Sequence, residues 1–412
     1  MSSISLAKQQ SGFYENAVLR ALDKMQEGYL QLHLPNGESL AFGQQYAAIQ
    51  ARIVVKDNTF FKNIVLYGDI GFGEAYVNGL WETDSIASVI KWVILNIENA
   101  PSVSGSKIKN IGLNLLKWLN RLGHNHRANS ITGSQKNIAE HYDLSNDFFA
   151  LFLDPSMTYS SAYFKTPDLS LAQAQDEKYR RLCEQLQLKA SDHVLEIGSG
   201  WGANAIFMAK NYGCKVTSVT ISVEQQQLAQ QRVAEAGLAD KVEIIIQDYR
   251  NIEGRFDKIV SVEMLEAVGH HYFKSYFAKC NEVLKKDGIL AFQVITSPDS
   301  RYESLRNGVD WIQKHIFPGS LLPSVAALNK AINQTSELTL VDLKDLGLDY
   351  ARTLRLWYEN FNQQIAKVKA LGFDERFVRK WNYYLNYCEA AFEMRNINVM
   401  QMVYVRPNNI NR

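Results

Sequence analysis

Short apolar runs and polar gaps alternate along most of the chain, with two different periods. Tyr29-Leu30-Gln31-Leu32-His33-Leu34 alternates at every second position and stops at Pro35-Asn36-Gly37, a strand running into a turn. Residues 1–100 read as a small N-terminal domain mixing strands and helices. From 136 to 295, helix-like and strand-like patterns alternate, the signature of a parallel sheet covered by helices on both faces. Val194–Ile197, Lys215–Thr220, Val242–Ile246, Lys258–Val262 and Ile289–Ile295 predict strands, and Ala203–Tyr212 predicts a helix after the first of them. Helical segments follow and a final strand is expected over Val399–Val405, so 136–412 is read as one larger domain.

The stretch 101–135 has linker composition at both ends. In its middle, Ile108, Ile111, Leu115, Trp118, Leu119 and Leu122 share one helical face, with Lys109, Lys117 and Arg121 on the sides or opposite. Such a helix either packs on a neighbouring domain or lies on a membrane surface, Trp118 at headgroup depth and cations toward anionic lipid. The longest apolar stretch, Ile86–Ile97, is interrupted by Lys91 and is too short to span a bilayer.

Composition narrows the classes. The chain has 412 residues, 46% hydrophobic and 21% charged, which describes a folded globular protein rather than a disordered one. Net charge is +1, so no global field draws it to nucleic acid. Cys183, Cys214, Cys280 and Cys388 lie far apart without a C-x-x-C pair and read as reduced thiols of a cytoplasmic protein; no metal site is expected. The start, MSSISLAKQQ, lacks a charged head followed by an apolar core, so no secretory signal is expected.

The candidate chemistry begins at VLEIGSGWG, residues 194–202. An apolar strand ends at Glu196, and glycines follow at 198, 200 and 202, where a chain must turn sharply and let a ligand approach its backbone. The dinucleotide fingerprint is G-x-G-x-x-G with an acid about 20 residues on. Here the spacing is G-x-G-x-G, the next strand ends in Thr220-Ile221-Ser222 without an acid, and Glu196 precedes the first glycine. This form resembles the cofactor loop of class I S-adenosylmethionine methyltransferases. Gln247-Asp248-Tyr249 follows the third strand, where this fold usually flanks the adenine. The fourth strand ends in Ser261-Val262-Glu263-Met264-Leu265-Glu266, on the ligand side of an open sheet.

A more specific resemblance covers nearly the whole chain. HYDLSNDFF (141–149), LDPSMTYSSAYF (153–164), the glycine loop, TISVEQ (220–225), QDYR (247–250), MLEAVG (264–269), DYARTL (349–354) and YYLNYC (383–388) are similar, in order, to segments of the cyclopropane-fatty-acyl-phospholipid synthase family. GDIGFGEAY (68–76) is similar to the extra N-terminal domain of its longer bacterial members. The resemblance implies an α/β fold: a class I methyltransferase (Rossmann-like) seven-stranded sheet with helices on both faces, plus a small N-terminal α+β domain. It implies a 1–100, 101–135, 136–412 organisation, with the last part catalytic. It also implies methyl transfer from S-adenosylmethionine to a cis double bond of an unsaturated phospholipid acyl chain at the inner membrane face, with a homodimer as a candidate assembly. Cofactor contacts are expected from Tyr159, Ser160, Glu196, Gly198, Ser199, Gly200, Thr220, Ser222, Gln225, Asp248 and Tyr249.

The family's catalytic base is a bicarbonate held by a Cys, a Glu, a His, a backbone group at an Ile, and a Tyr. The resemblance places these at Ser161, Glu266, Gln293, Ile295 and Tyr350, so the Cys and His positions depart. Serine and glutamine can still donate hydrogen bonds to an anion, but Gln293 cannot carry a proton. A changed proton exit changes the product: cyclopropane on one route, a methyl- or methylene-branched chain on another. Methylation of a small amine is the alternative enzyme reading, and a non-catalytic lipid or cofactor binder is the third. Cys388 matches a family cysteine and is a further candidate, set against an inert buried thiol. His270 and His271 read as flanking the next helix rather than as a base pair, and His141 as a structural hydrogen-bonder. Tyr159, Tyr163, Phe164, Trp311 and Phe317 either line an acyl tunnel or build the core.

Overall fold

The computed structural model describes residues 12–97 and 144–410. The amphipathic stretch 107–122, the linker around it and His141 fall outside the described residues. The chain forms two compact units.

Among the described residues, the first unit holds 12–97, 307–316 and 365–396. Its sheet has strands β1 (Tyr29–His33), β2 (Ser39–Gly43), β3 (Gln50–Val55) and β4 (Trp81–Glu82) in the order β2-β1-β3-β4. Alternation in β1 buries Leu30 and Leu32 and leaves Gln31 part-exposed, as its sequence period requires. The turn after it puts Gly37 at φ +86, a conformation glycine adopts without strain. Helix α1 (Phe13–Leu22) packs on α2 (Thr59–Val77), and α3 (Ile86–Leu95) packs on β3. The sequence reading runs the larger domain unbroken from 136, yet 307–316 and 365–396 belong to this unit. The cause is helical amphipathicity: the helix Glu375–Glu393 buries Val378, Trp381, Leu385 and Phe392 and packs on α3 and α2. Lys91–Glu393 at 2.7 Å and Arg379 on Glu82 at 2.8 Å fix it at its two ends.

The second unit holds 144–306, 317–364 and 397–410 among the described residues. Its strands are β5 (His193–Ile197), β6 (Lys215–Thr220), β7 (Val242–Ile246), β8 (Phe256–Val262), β9 (Leu284–Thr296), β10 (Thr339–Asp345) and β11 (Asn398–Val405). They form the expected seven-stranded sheet, in the order β10-β11-β9-β8-β5-β6-β7. The five strands β5 to β9 are parallel, and β11 runs antiparallel to β9 and β10. Period two sorts each central strand between two cores. Leu195, Leu290, Phe292 and Tyr404 face one core, while Val194, Ile289, Ala291 and Val403 face the other.

Chain order reverses beside β5, which has β6 on one side and β8 on the other. The loops after β5 and β8 are therefore neighbours at the carboxyl edge, the position where open α/β sheets bind ligands. Strand β10 was not anticipated: TLVDLKD alternates but buries little, as an edge strand does.

Phe292 stacks on Tyr404 at 5.6 Å across β9 and β11, and both are buried. Phe292→Ala should therefore cost about 3–5 kcal/mol, read as a lower midpoint in urea unfolding. A loss below about 1 kcal/mol would mean the pair is not a core contact.

Candidate active site

The turn after β5 is built for close backbone approach. Gly198, Gly200 and Gly202 adopt φ +98, +47 and +86, which side-chain-bearing residues rarely do. A Cβ on Gly198 would stand 3.3 Å from Met264 Cγ, whereas one on Gly200 would meet nothing within 4 Å, so the turn is open at its tip. Gly198 and Ser199 N–H both donate to Val219 O, and Ser261 Oγ donates to Ile197 O, which ties the turn to β6 and β8.

Glu196 lies under this turn. Its carboxylate accepts from Asn204 Nδ2 at 2.8 Å and Ser218 Oγ at 2.5 Å. Burial raises its pKa to about 7, and the two hydrogen bonds oppose that rise. Both oxygens are engaged inside the protein, so Glu196 braces β5, β6 and the helix Ala203–Tyr212. Thr220 and Ser222 form the next rim. Thr220 Oγ1 donates to Gln225 Oε1 at 3.0 Å, and Ser222 Oγ caps the helix Val223–Glu235 through Gln225 N–H. Asp248 holds Arg250 through both carboxylate oxygens, and the guanidinium stands 5.2 Å from the Tyr249 ring. These strand-end residues form one rim, and with the open glycine turn they fit an adenosine-bearing cofactor.

Beside the turn lies a buried acid cluster. Glu263, at φ +49 just past β8, accepts from Ser161 N–H at 2.9 Å and Gln293 Nε2 at 2.7 Å through one oxygen, Oε1. Gln293 also donates to Ser161 O at 3.2 Å and accepts from Gln401 Nε2 at 3.0 Å. Burial raises the Glu263 carboxyl; hydrogen bonds from Gln293 and Ser161, the charge of Lys178 and a hydrogen bond from Tyr350 oppose it, in that order. Glu266 accepts from Ile295 N–H at 2.5 Å through Oε1, while its Oε2 is buried without a partner. Burial first, then the charge of Glu263, pushes Glu266 up to about 8. The two acids titrate as a pair: the charge of either one disfavours ionisation of the other, and Lys178 favours the ionised form of Glu263.

Of the catalytic residues expected from sequence, five meet here: Ser161, Glu266, Gln293, Ile295 and Tyr350. The Ser161 hydroxyl donates to Ala162 O, so its contribution to the cluster is its backbone N–H. Cys388 belongs to the first unit, where burial and Asp310 push its thiol up. His270 stands on a short turn before the helix Phe273–Val283, its Nδ1 2.5 Å from Tyr302 Oη. Tyr159 is ringed by Phe149 and Trp357, each 5.2 Å away, and Phe317 at 6.5 Å, an aromatic wall in this unit. Trp311 lies in the first unit and is buried.

Three residues of the cluster escaped the sequence reading: Glu263, Gln401 and the wholly buried Lys178. A lysine among the buried face of the helix Leu171–Leu186, aligned with Tyr179, Leu182 and Leu186, was the available signal.

Comparison with known proteins agrees with this geometry. Residues 129–402 match the family described as mycolic acid cyclopropane synthetase. The chain belongs to that family. It is 39% identical over 401 residues to the tuberculostearic acid methyltransferase UfaA1 of Mycobacterium tuberculosis, covering 95% of this chain and 91% of the relative. It is also 39% identical over 367 residues to the cyclopropane-fatty-acyl-phospholipid synthase of Escherichia coli strain K12, covering 86% and 88%. The crystal structure of the mycolic acid cyclopropane synthase CmaA1 complexed with SAH and CTAB superposes with TM-score 0.61 at 29% identity, covering 66% of this chain and 97% of that one. As a cyclopropane synthase family member, the protein is an S-adenosylmethionine-dependent methyltransferase acting on lipid acyl chains. Among the described residues no helix is long and apolar enough to cross a membrane.

Glu196 yields a pH test. Its folded pKa, about 7, lies above its ordinary 4.5, so folding stability from this group is full below 4.5 and lost as pH rises through 7. Glu196→Gln removes that slope, so the variant should gain on wild type in urea unfolding between about pH 5 and about pH 8. An equal gap at both pH values would show that the carboxyl does not titrate as described.

Proposed function

We propose that this chain methylates an olefinic carbon in an unsaturated acyl chain of a membrane phospholipid, and that Glu263 removes the proton, leaving a methyl- or methylene-branched chain. The observation that carries this reading is the double hold on Glu263 by Ser161 N–H and Gln293 Nε2. Those are the two positions at which the sequence departs from the bicarbonate-binding pattern. The local donors do not fit a separate bicarbonate. Gln293 Nε2 already serves Ser161 O and Glu263, its Oε1 takes Gln401, and the Ser161 hydroxyl serves Ala162 O. These contacts support a carboxylate of the chain's own, rather than a bound ion, as the base.

S-adenosylmethionine, when bound, supplies an electrophilic methyl group. The π electrons of the acyl double bond would form the new carbon–carbon bond as the electron pair of the broken S–CH3 bond stays on sulfur, leaving S-adenosylhomocysteine and positive charge on the other olefinic carbon. An aromatic face turned to that carbon, of the kind the Tyr159 wall carries, would offer it negative quadrupole potential. Glu263 takes a proton from an adjacent carbon or from the new methyl group. The C–H electron pair becomes a double bond, and no ring bond forms. Neutral Glu266 adds no second negative charge beside the base. A fully saturated branch would need a separate reductant.

Ring closure is the second reading, favoured by the retained Glu266, Ile295 and Tyr350 and by the Escherichia coli relative at equal identity. The cationic amphipathic pattern of 107–122 supports work at the cytoplasmic face of a membrane.

Mass spectrometry of fatty acids from cells expressing the chain should find branched or methylene products. Cyclopropane products would support the second reading, and labelled soluble amines with unlabelled lipid would defeat both. Glu263→Gln should lower lipid methylation by about 100-fold or more, while calorimetric binding of S-adenosylhomocysteine stays within a few-fold. Glu263→Ala should regain part of its activity when formate is added. A fully active Glu263→Gln would end the assignment of the base.

A further inference from the structure

A buried charge remains that the reaction as derived does not use. Lys178, on the inner face of the helix Leu171–Leu186, is wholly buried. Its Nζ donates to Ser160 Oγ at 2.7 Å and lies 4.3 Å from the centroid of the Tyr179 ring. Among the described residues no carboxylate lies within ion-pair distance of it. The same helix holds Ser160 a second time, through Gln175 Nε2 on Ser160 O at 3.0 Å. The next residue, Ser161, gives its N–H to Glu263. The Ser160-Ser161 dipeptide is thus clamped between a buried cation on one side and a buried acid on the other.

An ammonium in so dry a place is costly unless an opposite charge faces it. The charges that face Lys178 are Glu263, first in strength, and Asp154. The groups that face Glu263 are Gln293 from β9, Ser161 N–H, Lys178 from its helix, Tyr350 from the helix Gly347–Gln363, and Glu266 from its own loop. Lys178 is the one cation among them. Burial pulls it down to about 7, and the two carboxylates oppose that fall.

We propose that Lys178 is the positioning residue of the proton-removal step: it is the buried counter-charge of Glu263, and by clamping Ser160-Ser161 it holds the donor that aims the base. The inference rests on Glu263 being the base. Burial disfavours each charge and the other charge supports it, so ammonium with carboxylate is favoured over either ion alone. When Glu263 takes the substrate proton its negative charge is cancelled, and Lys178 is left as an unbalanced cation. That imbalance favours return of the proton to solvent and resets the base for the next turnover.

The sign of the pH effect follows. Removing the cation disfavours ionised Glu263, so its pKa rises and the base form is lost at higher pH. Lys178→Met and Lys178→Gln, assayed with labelled cofactor on vesicles of cis-unsaturated phosphatidylethanolamine, should shift the acid limb of kcat/KM upward by about one unit. That is about a tenfold deficit below the limb with near-wild-type rates above it, and Lys178→Arg should keep the limb in place. A purely structural role would lower the rate equally at all pH values and would overturn the proposal. So would a raised KM for S-adenosylmethionine with an unmoved limb, because Lys178 would then serve the cofactor through Ser160. Glu263→Gln separates the two ideas: if it stays active, the base assignment fails; if it is inactive and the limb of Lys178→Met is unmoved, only the present inference fails. Urea unfolding near pH 7, where Lys178 still carries charge, guards against a misfolded single variant. Lys178→Met combined with Glu263→Gln should be more stable than Lys178→Met alone, because the double change removes both charges; strict additivity would overturn the pairing.

Discussion

One buried carboxylate sets the terms for much of the second unit. Glu263 lies away from water, where an ionised group is tolerated only with several donors aimed at it. The groups that answer it come from four distant parts of the chain: donors from Ser161 before the first long helix of the unit, Gln293 on β9 and Tyr350 after β10, and the charge of Lys178 within that helix. None of them is a local neighbour of Glu263 in sequence. The strand-end turn at φ +49 that swings Glu263 inward is therefore stabilised only once the sheet has formed and the helices have docked. Site and fold are specified together.

The constraint propagates outward through amides. Gln293 takes Gln401 on β11, and Gln401 in turn accepts from Arg181, whose other nitrogen meets Asp342 on the edge strand β10 at 2.5 Å. Each member has a fixed polarity, because a glutamine in this chain has one donor side and one acceptor side. Turning any one of them would leave a buried donor facing a donor. This series of hydrogen bonds thus links Glu263 to the far edge of the sheet and ties β10, an otherwise weakly buried strand, to the acid cluster.

Much of this was readable in advance, and the unreadable part has a common cause. The strands β5 to β7 and the helix Ala203–Tyr212 matched their apolar periods to within a residue, because both faces of a parallel strand are apolar and its ends are marked by glycine or capping residues. The glycine turn was legible because positive φ restricts the residue type. By contrast, the assignment of Glu375–Glu393 to the first unit depends on its buried face, Trp381 and Leu385 included, and on the helix packing against α3, a contact that no local period encodes. Glu263 and Lys178 were missed for the same reason. An acid at a strand end and a lysine in a helix are ordinary on a surface, and only tertiary burial makes each one exceptional. Glu196 was legible as an acid of the cofactor loop, yet its oxygens face Asn204 and Ser218, so its effect on the cofactor passes through the backbone it braces.

The two departures at Ser161 and Gln293 become one change when seen from Glu263. A histidine at 293 could exchange protons with a neighbouring base; the glutamine there can only donate its amide and cannot titrate. A cysteine at 161 would present a thiol, whereas the serine turns its hydroxyl onto Ala162 O and leaves only its N–H facing inward. Both changes replace groups of adjustable protonation with fixed donors. Fixed donors suit an acid that is part of the chain and must keep one orientation. An exchangeable anion, which brings its own proton bookkeeping, gains more from partners that can adjust. The residues at 263 and 293 are therefore a coupled pair, and replacing either one alone leaves either a buried donor without an acceptor or a buried carboxylate short of a donor.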